Sequence, residues 1–221
     1  MGLGKDVMTL AHELGHGVHM YLSRPKGALE ANTPLTTAEM ASVFGEMLVF
    51  NDMMKREADP KVRQSMLASK IEDTFATVFR QVTMNRFEDA IHTARRTEGE
   101  LTTDRYSELW LNTQRAMFGD SVTLRDDYGL WWSYVTHFIA VPGYVYAYAF
   151  GELLVLALFN QYRKQGDSFA PKYIDVLSSG GADKPEKILA KVGVDLTDPA
   201  FWKEGLAVID EMVTQLETLV V

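Results

Sequence analysis

The sequence predicts an all-α fold in which helices pack on one another in layers. Apolar residues recur at helical spacing along most of the 221 residues. No stretch of the sequence shows the sustained alternation of apolar and polar residues that is typical of a half-buried strand. Proline and glycine stand where the helical patterns stop, as expected at the ends of helices.

The predicted helices follow one another with short connections. A first helix over 6–23 ends at Ser23-Arg24-Pro25-Lys26-Gly27, because proline and glycine do not continue a helix. A second helix covers about 36–57, and Asp59-Pro60 then supplies a cap and a first-turn proline for a third helix over about 60–97. Later helices are predicted over about 103–117, 128–138, 142–165, 168–178, 185–192 and 199–220. We expect residues 1–221 to form a single all-α domain.

Composition and charge exclude several classes of protein. Hydrophobic residues make up 47% and charged residues 24% of the chain, as in an ordinary globular protein. The formal net charge of -8 leaves no basic patch of the density that a nucleic-acid-binding protein needs. The chain has no cysteine, which excludes disulfides and thiolate metal sites, so a metal would be bound by His, Asp or Glu. The first residues lack the pattern of a signal peptide, and we predict a cytoplasmic location.

One apolar run tests the prediction that the chain does not enter a membrane. From Ile139 to Phe159 nearly every residue is apolar or aromatic, and the run is long enough to span a bilayer. Glu152 lies near its centre, where a charged side chain costs roughly 2.5–3.5 kcal/mol on insertion. A helix buried in a protein core explains the same run without that cost, and we predict no membrane contact.

The first predicted helix carries the segment His12-Glu13-Leu14-Gly15-His16. Two histidines four residues apart lie on one face of a helix and can share one metal ion. Glu13 is offset from them by about a hundred degrees around the helix, which suits a base acting on a water at that ion. Zinc lowers the pKa of its bound water toward about 7. The segment therefore predicts the HExxH helix of a zincin-type catalytic domain, near the N-terminus of this chain.

The surroundings of the motif favour a metal site over coincidence. A chance match somewhere in the chain has a probability of about one in a hundred. Gly15 and Gly17 each cost about 1 kcal/mol of helix propensity, which indicates that another element packs closely there. Apolar residues occupy the opposite face of the helix, namely Val7, Leu10, Leu14 and Val18. The alternative is a helical binding or scaffold module in which the motif is accidental.

The third ligand must come from outside the motif. The pattern with a third histidine fails because position 22 is Leu22, and His19 sits one turn beyond the predicted site, where it could contact a ligand or the substrate. Glu39 and Glu46 are seven residues apart and share one face of the second predicted helix. Spacing favours Glu39 only slightly, since Thr36 and Glu39 also match a capping box. Glu46 could instead be a buried acid or the group that orients a histidine.

Several segments together resemble the oligoendopeptidase F and thimet oligopeptidase family of zinc peptidases, and the oligoendopeptidase F branch more closely. The segments are His12–His19, Glu39–Glu46, His137-Phe138, Pro142–Gly151, Leu177–Gly181 and Ala190–Asp195. The resemblance extends over essentially the whole chain but covers only about the C-terminal third of the family's usual length. It implies that this chain is the catalytic portion and lacks an N-terminal lobe.

The resemblance also implies roles for individual residues. Glu39 would be the third zinc ligand beside His12 and His16, and Glu46 would be an acidic residue near these ligands that does not itself bind the metal. His137, Tyr144 and Tyr148 would hold the substrate and stabilise its oxyanion. Tyr144 and Tyr148 share one face of the helix predicted over 142–165, whereas Tyr146 points away. The alternative for these tyrosines is an aromatic stripe in the core.

The function that this resemblance implies is a zinc-dependent endopeptidase for short oligopeptides. One Zn²⁺ per chain would activate a water, and Glu13 would act as its general base. The alternative is a chain that binds zinc but is catalytically incomplete. Its face toward the absent lobe would then expose apolar surface and could drive self-association.

Overall fold

The computed structural model describes residues 4–219, apart from the side chain of Leu35, and this part of the chain is helical without a strand. The predicted all-α fold is thereby confirmed, and the HExxH segment lies in the first described helix. The α-helices are α1 Gly4–Ser23, α2 Leu35–Ala38, α3 Met40–Arg56, α4 Pro60–Thr77, α5 Phe79–Glu98, α6 Thr103–Phe118, α7 His137–Ala140, α8 Tyr146–Gln165, α9 Ala170–Leu177, α10 Pro185–Ala190 and α11 Pro199–Leu219.

Residue contacts divide the chain into two compact units. The first unit comprises Met1–Thr74 and Phe150–Val221, and the second comprises Phe75–Ala149. A single domain over 1–221 was expected from the continuous helical pattern. Each unit is therefore described by itself.

Two predicted helices are interrupted. The helix expected over 36–57 is interrupted at Glu39 (φ -82°, ψ 0°), which keeps right-handed backbone angles and stands as a single residue between α2 and α3. The helix expected over 60–97 breaks at Val78 (φ -96°, ψ -70°), which separates α4 from α5. Val78 follows Thr77, and two successive β-branched side chains restrict the helical rotamers on both sides of the break.

The prediction of an α-helix over 128–138 is wrong. Residues Asp126–Tyr134 form a 3-10 helix, Val135 is extended, and the four-residue α7 follows at His137. Apolar residues three apart satisfy both helix types, so the spacing of the aromatic residues could not separate them over so short a run. The helix expected over 142–165 begins later, at Tyr146, because a turn at Pro142-Gly143 precedes it.

The core of the first unit is built around α8. Residues 154–159 of this helix are almost completely inaccessible to solvent. None of the described helices combines the length and the apolar composition that crossing a membrane requires. The prediction of a core helix is thus confirmed for the later part of the apolar run, which includes Glu152, whereas Ile139 and Val141 precede α8 and are exposed.

The second unit has an aromatic core of its own. Phe87 of α5 and Trp110 of α6 meet edge to face, with ring centroids 5.2 Å apart. Val135 and Val145 close this core from the segments on either side of α7. Packing of these segments against α5 and α6 fixes α7, which carries His137 at its first position.

Candidate metal centre

The two motif histidines and Glu39 bring three ligand atoms together in the first unit, and we call these three residues the metal corner. Nε2 of His12 lies 3.1 Å from Nε2 of His16. Oε2 of Glu39 lies 3.4 Å from the first nitrogen and 3.5 Å from the second. Three acceptor-type atoms thus form a nearly equilateral triangle on one side of α1.

The size of this triangle fits one small divalent cation. Zinc bound by nitrogen and carboxylate oxygen at about 2.0–2.1 Å in a tetrahedron separates its ligands by about 3.3 Å. The three sides of the triangle lie close to that value, and the donor set of two imidazoles and one carboxylate suits zinc. His12, His16 and Glu39 could therefore hold a metal ion together.

Glu39 approaches the two histidines from the junction between α2 and α3. Glu39 is the single residue between the two helices, and its side chain remains 47% exposed. The hydroxyl of the buried Ser42 lies 2.8 Å from the same Oε2 atom and 3.0 Å from the carbonyl oxygen of Glu39. The capping-box alternative does not describe this segment, because α2 begins after Pro34 without a side-chain cap.

A close crossing of α1 over α3 sets the distance between the ligands. A methyl group added to Gly15 would come within 2.4 Å of the carbonyl oxygen of Ala41, and one added to Gly45 within 3.1 Å of that of Ala11. Glycine at these two positions lets the two backbones touch. The prediction of close packing is thus confirmed for Gly15 but is wrong for Gly17, which has no atom within 4 Å of an added methyl group.

Glu46 contacts the side of His12 that faces away from the ligand triangle. Its Oε1 atom lies 2.6 Å from Nδ1 of His12. A carboxylate at Nδ1 keeps the proton on that nitrogen, so Nε2 presents its lone pair to a metal. This arrangement corresponds to one of the two roles that spacing left open for Glu46.

Glu13 and His19 occupy different environments on α1. Glu13 is exposed to solvent in the turn between the two motif histidines. His19 is buried, and burial, with a smaller effect of His16, lowers its pKa, while a hydrogen bond to the backbone of Ala38 acts in the opposite direction. His19 therefore contacts the end of α2 beside Glu39. Its burial argues against contact with a substrate.

The second unit brings His137, Tyr144 and Tyr148 together, and we call these residues the aromatic cluster. Nε2 of His137 lies 3.1 Å from the hydroxyl of Tyr148. The Tyr144 ring stacks on His137 at 5.7 Å and meets Tyr148 edge to face at 5.2 Å. Tyr144 precedes α8 rather than lying in it, but the turn before the helix still presents both tyrosines to His137. Tyr148 is 36% exposed and Tyr146 47%, so neither belongs to a core stripe.

Sequence reasoning did not identify two residues that contact Glu39 or Glu46, namely Ser42 and Lys70. Ser42 stands three residues after Glu39, a spacing at which a hydroxyl can reach back to the preceding turn. Lys70 of α4 lies 3.7 Å from Glu46, and only the tertiary fold brings it there.

Comparison with known proteins gives a consistent result. Residues 4–208 match the model of Peptidase family M3. An oligopeptidase, PepF, from Bacillus subtilis is 33% identical over 97% of this chain and 32% of its own length. An oligoendopeptidase F homolog from Borreliella burgdorferi is 30% identical over 89% of this chain and 33% of its own length. The chain thus spans about a third of the length of these curated relatives.

A solved structure supports the same relationship. Oligoendopeptidase-F from Enterococcus faecium superposes with a TM-score of 0.86 at 27% identity, over 98% of this chain and 39% of its own. The helical fold described above is therefore shared with that protein over nearly the whole of this chain.

Proposed function

Because the chain belongs to peptidase family M3, we propose that it binds one zinc ion and takes part in the hydrolysis of peptide bonds in short oligopeptides. The observation that carries this proposal is the triangle formed by Nε2 of His12, Nε2 of His16 and Oε2 of Glu39. Glu13 lies in the same turn of α1 as these histidines.

The chain's own residues supply the ligands and the base. When bound, zinc would lower the pKa of a water and polarise the carbonyl group of the scissile bond. Glu46 holds the proton of His12 on Nδ1, and Ser42 fixes the Glu39 carboxylate. Glu13 accepts a proton from the attacking water and transfers it to the leaving amine.

The aromatic cluster is proposed to stabilise negative charge on the substrate. His137 Nε2 can donate a hydrogen bond to the Tyr148 oxygen, so the phenol hydrogen is not needed for that contact. A phenol is neutral at pH 7, so it donates without adding charge in the ground state. Such a donor favours the oxyanion over the carbonyl group and accelerates the chemical step. Tyr144 would hold the ring of His137 in place by stacking.

The substrate class is proposed from the relatives. Curated relatives bear the names oligopeptidase and oligoendopeptidase, and an oligopeptide is therefore the substrate to test first. A cytoplasmic location would fit a protein without cysteine that handles short peptides, since reducing compartments do not require disulfides.

The experiment is cleavage of a fluorescence-quenched oligopeptide by the zinc-loaded chain and its Glu13→Gln variant. Loss of the general base should lower the rate by about 10²- to 10⁴-fold, with zinc affinity nearly unchanged. Glu72→Gln, an exposed acid on α4, is the matched control and should cleave at the original rate. Unchanged cleavage by Glu13→Gln with zinc still bound would rule out this mechanism.

A second candidate function is zinc binding with self-association and little cleavage by the 221 residues alone. The face of α1 that carries Leu10 and Leu14, each 60% exposed, and Val18, 52% exposed, favours it. A row of exposed apolar side chains on one helix is typical of a surface that contacts another polypeptide. Light scattering after gel filtration, combined with the peptide assay at measured zinc occupancy, separates the two. A zinc-loaded oligomer without cleavage supports this second candidate, and a zinc-loaded chain that cleaves supports the first.

A further inference from the structure

A chain of partly buried ionisable side chains extends from the metal corner to the buried Glu152 in the first unit. Oε1 of Glu46 contacts Nδ1 of His12 at 2.6 Å, and the other oxygen of Glu46 lies 3.7 Å from Nζ of Lys70. The same ammonium lies 3.8 Å from Oε1 of Glu152. Four side chains from α1, α3, α4 and α8 are thus linked in one order, from His12 to Glu46, Lys70 and Glu152.

Glu152 is the acid that stood out in the apolar run of the sequence. Its side chain is only 8% exposed, and within residues 4–219 its buried Oε1 atom has no hydrogen-bond partner. Burial raises the pKa of Glu152, whereas the ammonium of Lys70 has the opposite effect. A buried carboxylate oxygen without a hydrogen bond is costly, so the position of this atom in the core favours a nearby cation. Lys70 is the cation that approaches it.

Lys70 is itself nearly buried, with 12% of its side chain exposed, although α4 otherwise presents many charged residues to solvent. A lysine stem usually lets its ammonium reach water. Here the ammonium stays between two carboxylates instead. Because Glu46 and Glu152 would repel each other without a cation between them, Lys70 neutralises the pair and draws Glu46 Oε2 away from His12. The other oxygen of Glu46, Oε1, contacts Nδ1 of His12.

We propose that Lys70, held by Glu152, is a positioning residue for the metal corner that sets the Glu46 carboxylate and through it the His12 imidazole. This inference rests on the proposed zinc site and deepens it. Carboxylates that orient metal-ligating histidines typically contribute 10- to 100-fold to metal affinity. A residue that orients such a carboxylate should contribute at the lower end of that range.

The experiment measures zinc affinity of the full chain by competition with a chromophoric chelator, and the visible spectrum of the cobalt(II)-loaded chain. Lys70→Met should weaken zinc binding by about 10-fold and shift the cobalt bands, because His12 loses its fixed orientation. Lys70→Arg should restore affinity to within about 2-fold, since it keeps the charge. A cavity of about 500 Å³ borders Lys70 and offers room for the larger head group.

Two further variants keep the result interpretable. Lys70→Met alone leaves a buried acid unpaired, which is strongly destabilising. If this variant does not fold, zinc affinity is measured instead on Lys70→Met combined with Glu152→Gln, which removes both charges. Lys164→Met removes a partner of Glu204 elsewhere in the first unit and should leave zinc affinity unchanged.

The outcomes separate this inference from the proposed function. Folded Lys70 variants that bind zinc as tightly as the original chain, with the same cobalt spectrum, would overturn the positioning role and leave the zinc site standing. An original chain that binds no zinc would remove the proposed function and this inference with it.

Discussion

In the metal corner two histidines lie on α1 and Glu39 directly precedes α3, a helix whose backbone touches that of α1. In the aromatic cluster His137 lies on a four-residue helix, Tyr144 in a turn and Tyr148 in the first turn of α8. Gly15 and Gly45 bring α1 and α3 into contact, and Ser42, Glu46 and Lys70 surround the ligands with polar groups. The aromatic cluster is held by ring contacts and by the hydrogen bond between His137 and Tyr148. The first arrangement places three donor atoms 3.1–3.5 Å apart, a spacing that suits one metal ion.

The comparison predicts that substitutions in the two regions affect different measured properties of the protein. Changes behind the metal corner should alter zinc affinity, and changes in the aromatic cluster should alter the rate of cleavage at constant zinc affinity. The following variants test this separation in order of decreasing effect.

Tyr148→Phe should produce the largest change in rate. Removal of the hydroxyl takes away the proposed donor to the oxyanion and should lower kcat by about 10²- to 10³-fold. Because the hydrogen bond with His137 lies within the second unit, zinc affinity should stay the same. Steady-state cleavage of a quenched peptide at saturating zinc is the measurement. Tyr146→Phe, on an exposed neighbouring tyrosine, serves as the control, and an equal loss of kcat in both variants would contradict the assignment.

Glu46→Gln should produce the next largest effect, and on zinc affinity. The neutral amide is a weaker acceptor for Nδ1–H of His12, so we expect about 10- to 100-fold weaker binding. Chelator competition measures this directly. Asp52→Asn removes an acid from the exposed side of the same helix, α3, where it pairs with Arg56, and should not change the affinity. Equal affinities for the two variants would show that Glu46 does not orient the ligand.

Gly15→Ala and Gly17→Ala should change stability in opposite directions. An added methyl group at Gly15 collides with the backbone of Ala41 and should destabilise the chain by about 1–3 kcal/mol. The same change at Gly17 meets no atom within 4 Å and should stabilise the helix by about 1 kcal/mol. Urea unfolding of both variants gives the two free energies of unfolding. Two changes of the same sign would mean that the helix crossing does not control the stability of this corner.

The sequence predicts the fold class and the motif helix because both depend on local spacing. His12 and His16 share a face in any α-helix, and the apolar run through Phe159 marks a core helix wherever it packs. The choice between Glu39 and Glu46 could not follow from spacing, since a seven-residue separation places both on one face of an unbroken helix. The tertiary contacts separate them, because Oε2 of Glu39 lies beside Nε2 of both histidines, whereas Oε1 of Glu46 contacts Nδ1 of His12.

Other features lie beyond local pattern for similar physical reasons. The 3-10 helix over Asp126–Tyr134 has apolar spacing that an α-helix would also show. Lys70 and Glu152 are 82 positions apart in the sequence, and only the packing of α4 against α8 makes them an ion pair. The exposed face of α1 around Leu14 could not be distinguished from a buried face, because an apolar stripe predicts contact without naming the partner.

Elemental analysis of the purified chain tests the central claim most directly. The geometry of His12, His16 and Glu39 predicts about one zinc per chain, and removal of a ligand in His16→Ala should abolish it. His92→Ala, a histidine paired with Glu88 in the second unit, should retain the metal. A chain without zinc, or a His16→Ala variant that keeps it, would contradict the account.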